Sequence, residues 1–378
     1  MLTLETLSDY QVDPQRGFLP ARDPLDRLPP AYAAWDRLSE QLPTLLMARR
    51  ARAALDALPL LEVDRLDDAG QWQRAMVVLS AFANAYVWED DPPAARIPPN
   101  IAVPLCRASE RLGLPPIVTH ATTVLYNWRR LDPAGPIELG NLGALQLFLG
   151  GLDEQWFYLA TVAFEARGAP ALPALVELQQ AAAADCADAA ARHLATIAAT
   201  LAELIAALVR IYERCDPHIF YHRVRRYLTG WNAPGVVYEG VSDAPQVFVG
   251  GSAAQSALIQ ALDAGLDIEH RDRDTRPFLL EMRRYMLPPH RGFVEALERG
   301  PSVRQFVIER GASMPVLRDR YNDCIRALED FRRRHVEIAV RYITHQAPKD
   351  VEAKGTGGTN FAAFLGKARK ETGEREIT

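Results

Sequence analysis

Five pairs of adjacent prolines, Pro29-Pro30, Pro92-Pro93, Pro98-Pro99, Pro115-Pro116 and Pro288-Pro289, constrain this chain more than any other feature. Proline lacks an amide hydrogen and its ring clashes with the preceding turn, so each pair ends one helix or opens the next. Between such breaks apolar residues recur at helical spacing: Trp72, Met76, Leu79, Ala83 and Tyr86 follow at steps of 3 and 4 and share one face. Strand-like alternation is almost absent. The expected fold class is therefore all-α, with the 27 prolines marking helix boundaries and not a Pro-rich linker.

The run LDPAGPIELG, Leu131 to Gly140, cannot sustain a helix, because two prolines and two glycines fall within ten residues. It is the expected connection between a smaller amino-terminal domain, residues 1–140, and a larger helical domain, residues 141–378. The most apolar region, Ala169 to Tyr212, is broken by Glu177, Asp185, Asp188, Arg192, Glu203 and Arg210. That leaves no uninterrupted apolar run of about 18 residues, so one long helix of a soluble chain is expected there and no membrane span.

A formal charge of -5, with no long basic block, argues against nucleic acid or an anionic membrane as partner. Cys106, Cys186, Cys215 and Cys324 are scattered and form neither a CxxC nor a disulfide framework. The amino terminus carries Glu5 and Asp9 and lacks the basic-then-apolar order of a signal peptide. Together these place the expected chain in a reducing cytoplasm.

Two glycine clusters stand out. VGGSAAQS, Val249 to Ser256, runs into the apolar series Ala257, Leu258, Ala261 and Leu262, so a flexible loop should feed a helix whose start could receive an anion or polar group. It is neither GxGxxG nor a P-loop, which disfavours a nucleotide fold. KGTGGT, Lys354 to Thr359, reads as a mobile lid or as a plain surface connection.

Of eight histidines, none forms a zinc-binding pair, but His335 lies in a helical series with Ile325, Leu328, Phe331, Ile338 and Tyr342 and should face inward. It is either a hydrogen-bonded core residue or an axial haem ligand, and Arg332, one turn earlier, offers the cation that haem propionates need. In FYHRVRRYLTGW, Phe220 and Arg225 are five apart, and can flank one pocket only if the helix is suitably oriented; a basic surface helix is the alternative. No nucleophile elbow is present, and Ser252 in GGSA has no base to pair with.

Several segments together resemble the indoleamine 2,3-dioxygenase family: FLLEMRRYMLPPHRGFVEAL (Phe278 to Leu297), PSVRQFVIERG (Pro301 to Gly311), GGSAAQS, YLTGW, VVYEG and EAKGTGGTNF (Glu352 to Phe361). NAYVW (Asn84 to Trp88), PPNIAVPLC (Pro98 to Cys106) and LPPIVTHATTVLYNW (Leu114 to Trp128) extend the likeness, which covers essentially the whole chain. It implies a two-domain, all-helical protein that uses haem b, ferrous for activity, to insert both atoms of O2 across the indole C2–C3 bond of L-tryptophan or a related indoleamine, giving N-formylkynurenine. An external electron donor would keep the haem reduced, and no protein acid or base is required.

By the same resemblance His335 is the proximal iron ligand, Arg332 a propionate partner and Asp263 its acidic companion. Phe220 packs on the indole, Arg225 holds the substrate carboxylate, and Gly251, Ser252 and Ala253 border the amino acid portion. Lys354 to Thr359 is the closing loop, with Thr359 near the substrate. Phe157 and Thr161 match a Phe and a Ser of the mammalian pattern, and Tyr221 stands where a second Phe is usual. His120 replaces a Tyr and Thr123 a Cys. His120 either hydrogen-bonds the indole N–H, as a distal histidine does in tryptophan 2,3-dioxygenases, or is a satisfied pocket-wall residue. A haem-binding sensor, an idle homologue or an enzyme for another indole are the alternatives that the resemblance leaves.

Overall fold

The computed structural model describes residues 2–348, 355 and 361–378, with backbone only for 361–363. Helices dominate. The longest are Pro315–Ala339, Ala187–Leu208 and Ala69–Trp88, the last opened by Asp68, whose carboxylate accepts the Gln71 N–H at 2.9 Å. The segment expected to be one helix is two, Ala171–Ala183 and Ala187–Leu208. Asp185 between them sits at φ 54°, a left-handed conformation that a short polar side chain tolerates, and the Cys186 N–H closes the turn onto the Ala181 carbonyl.

By length and composition alone, the helical stretch Ala187–Glu213 would pass for a membrane-crossing helix. One of its faces is nevertheless spent inside the protein: Leu194, Ile197, Leu201 and Leu204 are fully buried, each contributing roughly 1.5–3 kcal/mol of apolar burial.

Strands are few and short. Trp231–Tyr238 pairs in parallel with Arg96–Ile97 and antiparallel with Gln246–Phe248, and a second ladder joins Trp128–Arg130 to Leu142–Ala144. The Pro- and Gly-rich run Leu131 to Gly140 is thus the connection of a hairpin, with Asn141 bonding back to Asp132 and Pro136.

Among the described residues the apolar core is mostly two large clusters. One gathers residues of Ala33–Met47, Ala69–Trp88 and Pro99–Leu112, joined later in the chain by Phe220, Leu228 and Trp231. The other gathers Ala171–Ala183, Ala187–Leu208, Ala257–Gly265, Pro288–Glu298 and Pro315–Ala339, together with Leu7, Val12 and Phe18 from the amino terminus. The helix Leu152–Gly168 serves both, with Trp156, Leu159 and Val162 in the first and Phe164 in the second. Its start is fixed by the buried Glu154 carboxylate, which accepts the N–H groups of Phe148 and Leu149 at 2.7 Å and Gly150 at 3.2 Å. Two adjoining cavities open beside this shared helix.

Candidate active site

In the helix Pro315–Ala339, Ile325, Leu328, Phe331 and Ile338 turn into the core, and His335 shares their side. Its ring opens onto two adjoining cavities of about 190 and 180 Å³. It lies deep enough that burial, helped by the Arg332 guanidinium, holds its pKa down at about 4. At neutral pH the imidazole is therefore uncharged, the form that ligates metals. Phe331 stacks beside it with ring centres 6.1 Å apart, and among the described residues no hydrogen bond reaches its ring nitrogens.

Across the cavities from His335 stand Phe157, Ala160, Thr161 and Phe164 of the shared helix. Phe157 and Phe220 face each other with ring centres 4.4 Å apart, and Tyr342 meets Phe220 edge-on at 5.9 Å. The Thr161 hydroxyl is spent on the Phe157 carbonyl at 3.0 Å. His120 is buried on the same wall, where its Nε2 donates to Glu165 Oε1 at 2.9 Å and its backbone N–H to Gln255. Ser256 donates to the same Glu165 oxygen at 2.6 Å, whereas Glu165 Oε2 is buried with no hydrogen-bond partner among the described residues. Thr123 does not line either cavity; its hydroxyl bonds the Thr119 carbonyl at 2.9 Å. Glu165 was not singled out from the sequence, although a carboxylate four residues after Thr161 on an apolar helix is a usable signal.

Phe220 and Arg225 meet the second cavity together because the backbone between them makes a π turn, in which the Arg225 N–H bonds the Phe220 carbonyl. That i to i+5 bond adds a residue to the turn and brings the fifth residue back towards the side of the first. Burial lowers the pKa of Arg225, and the guanidinium lies 5.3 Å over the Tyr221 ring. Tyr221 thus braces Arg225 and is not itself on either cavity.

The segment after Arg225 is pinned from below. Asn84 Nδ2 donates to the carbonyls of Tyr227 at 2.9 Å and Thr229 at 3.3 Å, and Trp88 Nε1 donates to Thr229 at 3.0 Å. Gly230 and Gly250 then pass backbone against backbone: a Cβ on Gly230 would stand 2.1 Å from the Phe248 carbonyl oxygen, and one on Gly250 2.1 Å from that of Leu228. Only glycine permits this approach. It sets Gly251, Ser252 and Ala253 on the cavity rim beside Arg225, and Ser256 then caps the helix Ala257–Gly265 through Leu258 N–H. Gly355 also lines this cavity. The rest of Lys354 to Thr359, expected to close the pocket with Thr359 at the substrate, lies outside the described residues.

One turn before His335, Arg332 Nη2 donates to Asp263 Oδ1, and both side chains are buried. Burial alone would raise the Asp263 pKa, but Arg332 and His270 outweigh it and hold the carboxyl below 3.8. Arg332 Nε is buried with no hydrogen-bond partner among the described residues. Among the described residues no group of three or more His, Cys, Asp and Glu could hold a metal ion. One neutral imidazole, an apolar wall and a guanidinium with unspent donor capacity at the edge form the donor set for a flat apolar group with anionic substituents and one open metal position. The residues fit haem.

A family model described as indoleamine 2,3-dioxygenase matches residues 6–375. Indoleamine 2,3-dioxygenase 1 of Mus musculus is 37% identical over 393 positions, which cover 98% of this chain and 95% of the mouse protein. The acdA indoleamine 2,3-dioxygenase of Aspergillus candidus is 36% identical, covering 96% of this chain and 95% of its own length. That of Saccharomyces cerevisiae is 32% identical, with 98% and 94% covered. With the likeness running from end to end, this chain belongs to the indoleamine 2,3-dioxygenase family.

Proposed function

We propose that the protein is a haem-dependent dioxygenase that cleaves the C2–C3 bond of the indole of L-tryptophan, or of a related indoleamine, with O2 to give N-formylkynurenine. One observation carries this reading: an inward imidazole, an aromatic pair and a guanidinium converge on two cavities that share the walls Phe157, Ala253, Ala254, His335 and Ile338. Bound haem, kept ferrous by an external donor, supplies the redox chemistry of dioxygen.

The protein's share is position and electrostatics. His335 would hold the haem iron, and Arg332, steadied by Asp263, would meet a propionate. Phe157 and Phe220 pack on the indole, while Arg225 takes the substrate carboxylate in a bidentate, charge-assisted contact. Gly251, Ser252 and Ala253 border the amino acid portion. His120, with Nε2 engaged by Glu165, acts as a wall residue. No side chain need act as general acid or base, because the gain comes from holding an electron-rich ring beside the oxidant with water excluded. A haem sensor or an idle homologue has no use for Phe220 and Arg225 on one cavity, which favours the enzyme. The division near residue 140 belongs to the same proposal, the smaller part contributing His120 to the wall.

Titration with haem tests the cofactor half. Wild type should bind one haem per chain with a distinct absorption band, and His335→Ala should not. An unchanged spectrum and stoichiometry in the variant would overturn the assignment.

A further inference from the structure

Phe364 and Leu365, on the carboxy-terminal helix Phe361–Gly373, wall both cavities. Their apolar anchorage is slight: Leu365 and Ala339 form a small cluster with Val336 and Ile343, and Phe364 meets Phe278 edge-on at 4.8 Å. Polar ties add to it: Lys367 pairs with Asp272 and Asp274, Arg369 pairs with Glu329, and a buried tie runs through His270. The His270 Nδ1 donates to Glu371 Oε2 at 2.9 Å and its Nε2 to Asp263 Oδ2 at 3.1 Å. Glu371 Oε1 in turn accepts the backbone N–H groups of Arg271 and Asp272, each at 2.8 Å. An imidazole that donates from both nitrogens must be protonated.

We propose that His270 is a positioning residue, a buried imidazolium that ties the carboxy-terminal helix, and with it the cavity wall Phe364 and Leu365, to the Asp263–Arg332 pair. This goes beyond the reading of the reaction, since the tie joins groups of the chain itself and stands whatever the cavities hold. His270 is only 6% exposed, so each of its carboxylate contacts is worth more than a surface pair.

The charges around it come from every neighbouring element: Asp263 from Ala257–Gly265, Arg332 from the long helix, Glu371 from the carboxy-terminal helix, and Asp267, Glu269, Arg276, Arg283 and Glu298 around an adjoining polar cavity. Burial and Arg332 lower the pKa of His270, but Asp263 and Glu371 prevail and raise it above 6.5. The tie is therefore fully present below the unfolded value of 6.5 and is lost as pH rises through the raised folded value.

Amide hydrogen exchange of Phe364 to Gly373 in the full-length chain, corrected for intrinsic rates and followed from acid to alkaline pH, tests this. In wild type, protection should fall roughly tenfold or more through one step above pH 6.5, the loss of a hydrogen bond between charged groups. His270→Asn should be poorly protected throughout, with no step. Glu371→Gln keeps the shape and an acceptor for Arg271 and Asp272 but removes a charge, so its step should move to lower pH, which a merely structural contact would not do. Wild-type protection without a step, or a step that stays unmoved in both variants, overturns the proposal.

Discussion

Removing Asp263 is the sharpest test of the proximal side. Its carboxylate is 6% exposed and stands between two buried cations, Arg332 at 7% and His270 at 6%. In Asp263→Ala the guanidinium loses this acceptor and faces an imidazolium with nothing between them. Breaking a buried pair in this way costs about 3–5 kcal/mol. His270 can shed its proton and Glu371 remains as its second partner, so the lower end, about 3 kcal/mol, is expected. Asp263→Asn keeps the volume and one acceptor and should cost about 1.5–3 kcal/mol, the worth of a hydrogen bond to a charged group. Urea unfolding of haem-free protein reads these numbers without the stabilisation that a bound ligand adds. The difference from wild type should persist at neutral pH and shrink as pH falls through the lowered Asp263 pKa, beneath 3.8, while the share carried by His270 declines as pH rises through its raised value. If both variants unfold within about 1 kcal/mol of wild type, on the scale of a surface pair, the buried network does not hold this face together.

Substitutions at three further positions have defined outcomes. Arg225→Lys loses the planar fork, so kcat/KM for tryptophan should fall at least about tenfold with normal haem content; equal turnover by wild type and Arg225→Ala would falsify the carboxylate contact. Glu154→Ala strands the N–H groups of Phe148, Leu149 and Gly150, and should cost about 2–4 kcal/mol in denaturant unfolding, with Glu154→Gln recovering part of it. Gly250→Ala forces a Cβ into the Leu228 carbonyl and should push the rim away from Arg225, raising KM for tryptophan while haem binding is kept; an unchanged KM contradicts the close approach.

The inward register of His335 was legible because the apolar steps around it fix one face, and GGSAAQS was legible as a loop entering a helix because its last residue, Ser256, caps the helix Ala257–Gly265. The features that escaped depend on distant partners or on irregular backbone. In a regular α-helix residues five apart diverge by about 140°, so only the π turn explains how Phe220 and Arg225 meet. Similar turns at Ala121–Leu125, after His120, and Val340–Thr344, around Tyr342, leave no mark in the apolar pattern. The strand Trp231–Tyr238 is disguised by Pro234 and Gly235, and its pairing is set by segments far away in the chain. His120 finds Glu165, and His270 finds Glu371, across 45 and 101 residues. No local spacing rule reaches that far. The break at Asp185 was hidden because alanine on either side favours helix, and a single left-handed residue suffices to end it.

Turnover under isotopically labelled dioxygen separates a dioxygenase from every alternative reading of this site. Haem-loaded, reduced protein is supplied with L-tryptophan and labelled O2, and the product is weighed by mass spectrometry. N-formylkynurenine carrying both labelled atoms is the expected product. Product with a single labelled atom, or tryptophan left unchanged by protein that holds one reduced haem per chain, would contradict the proposed reaction.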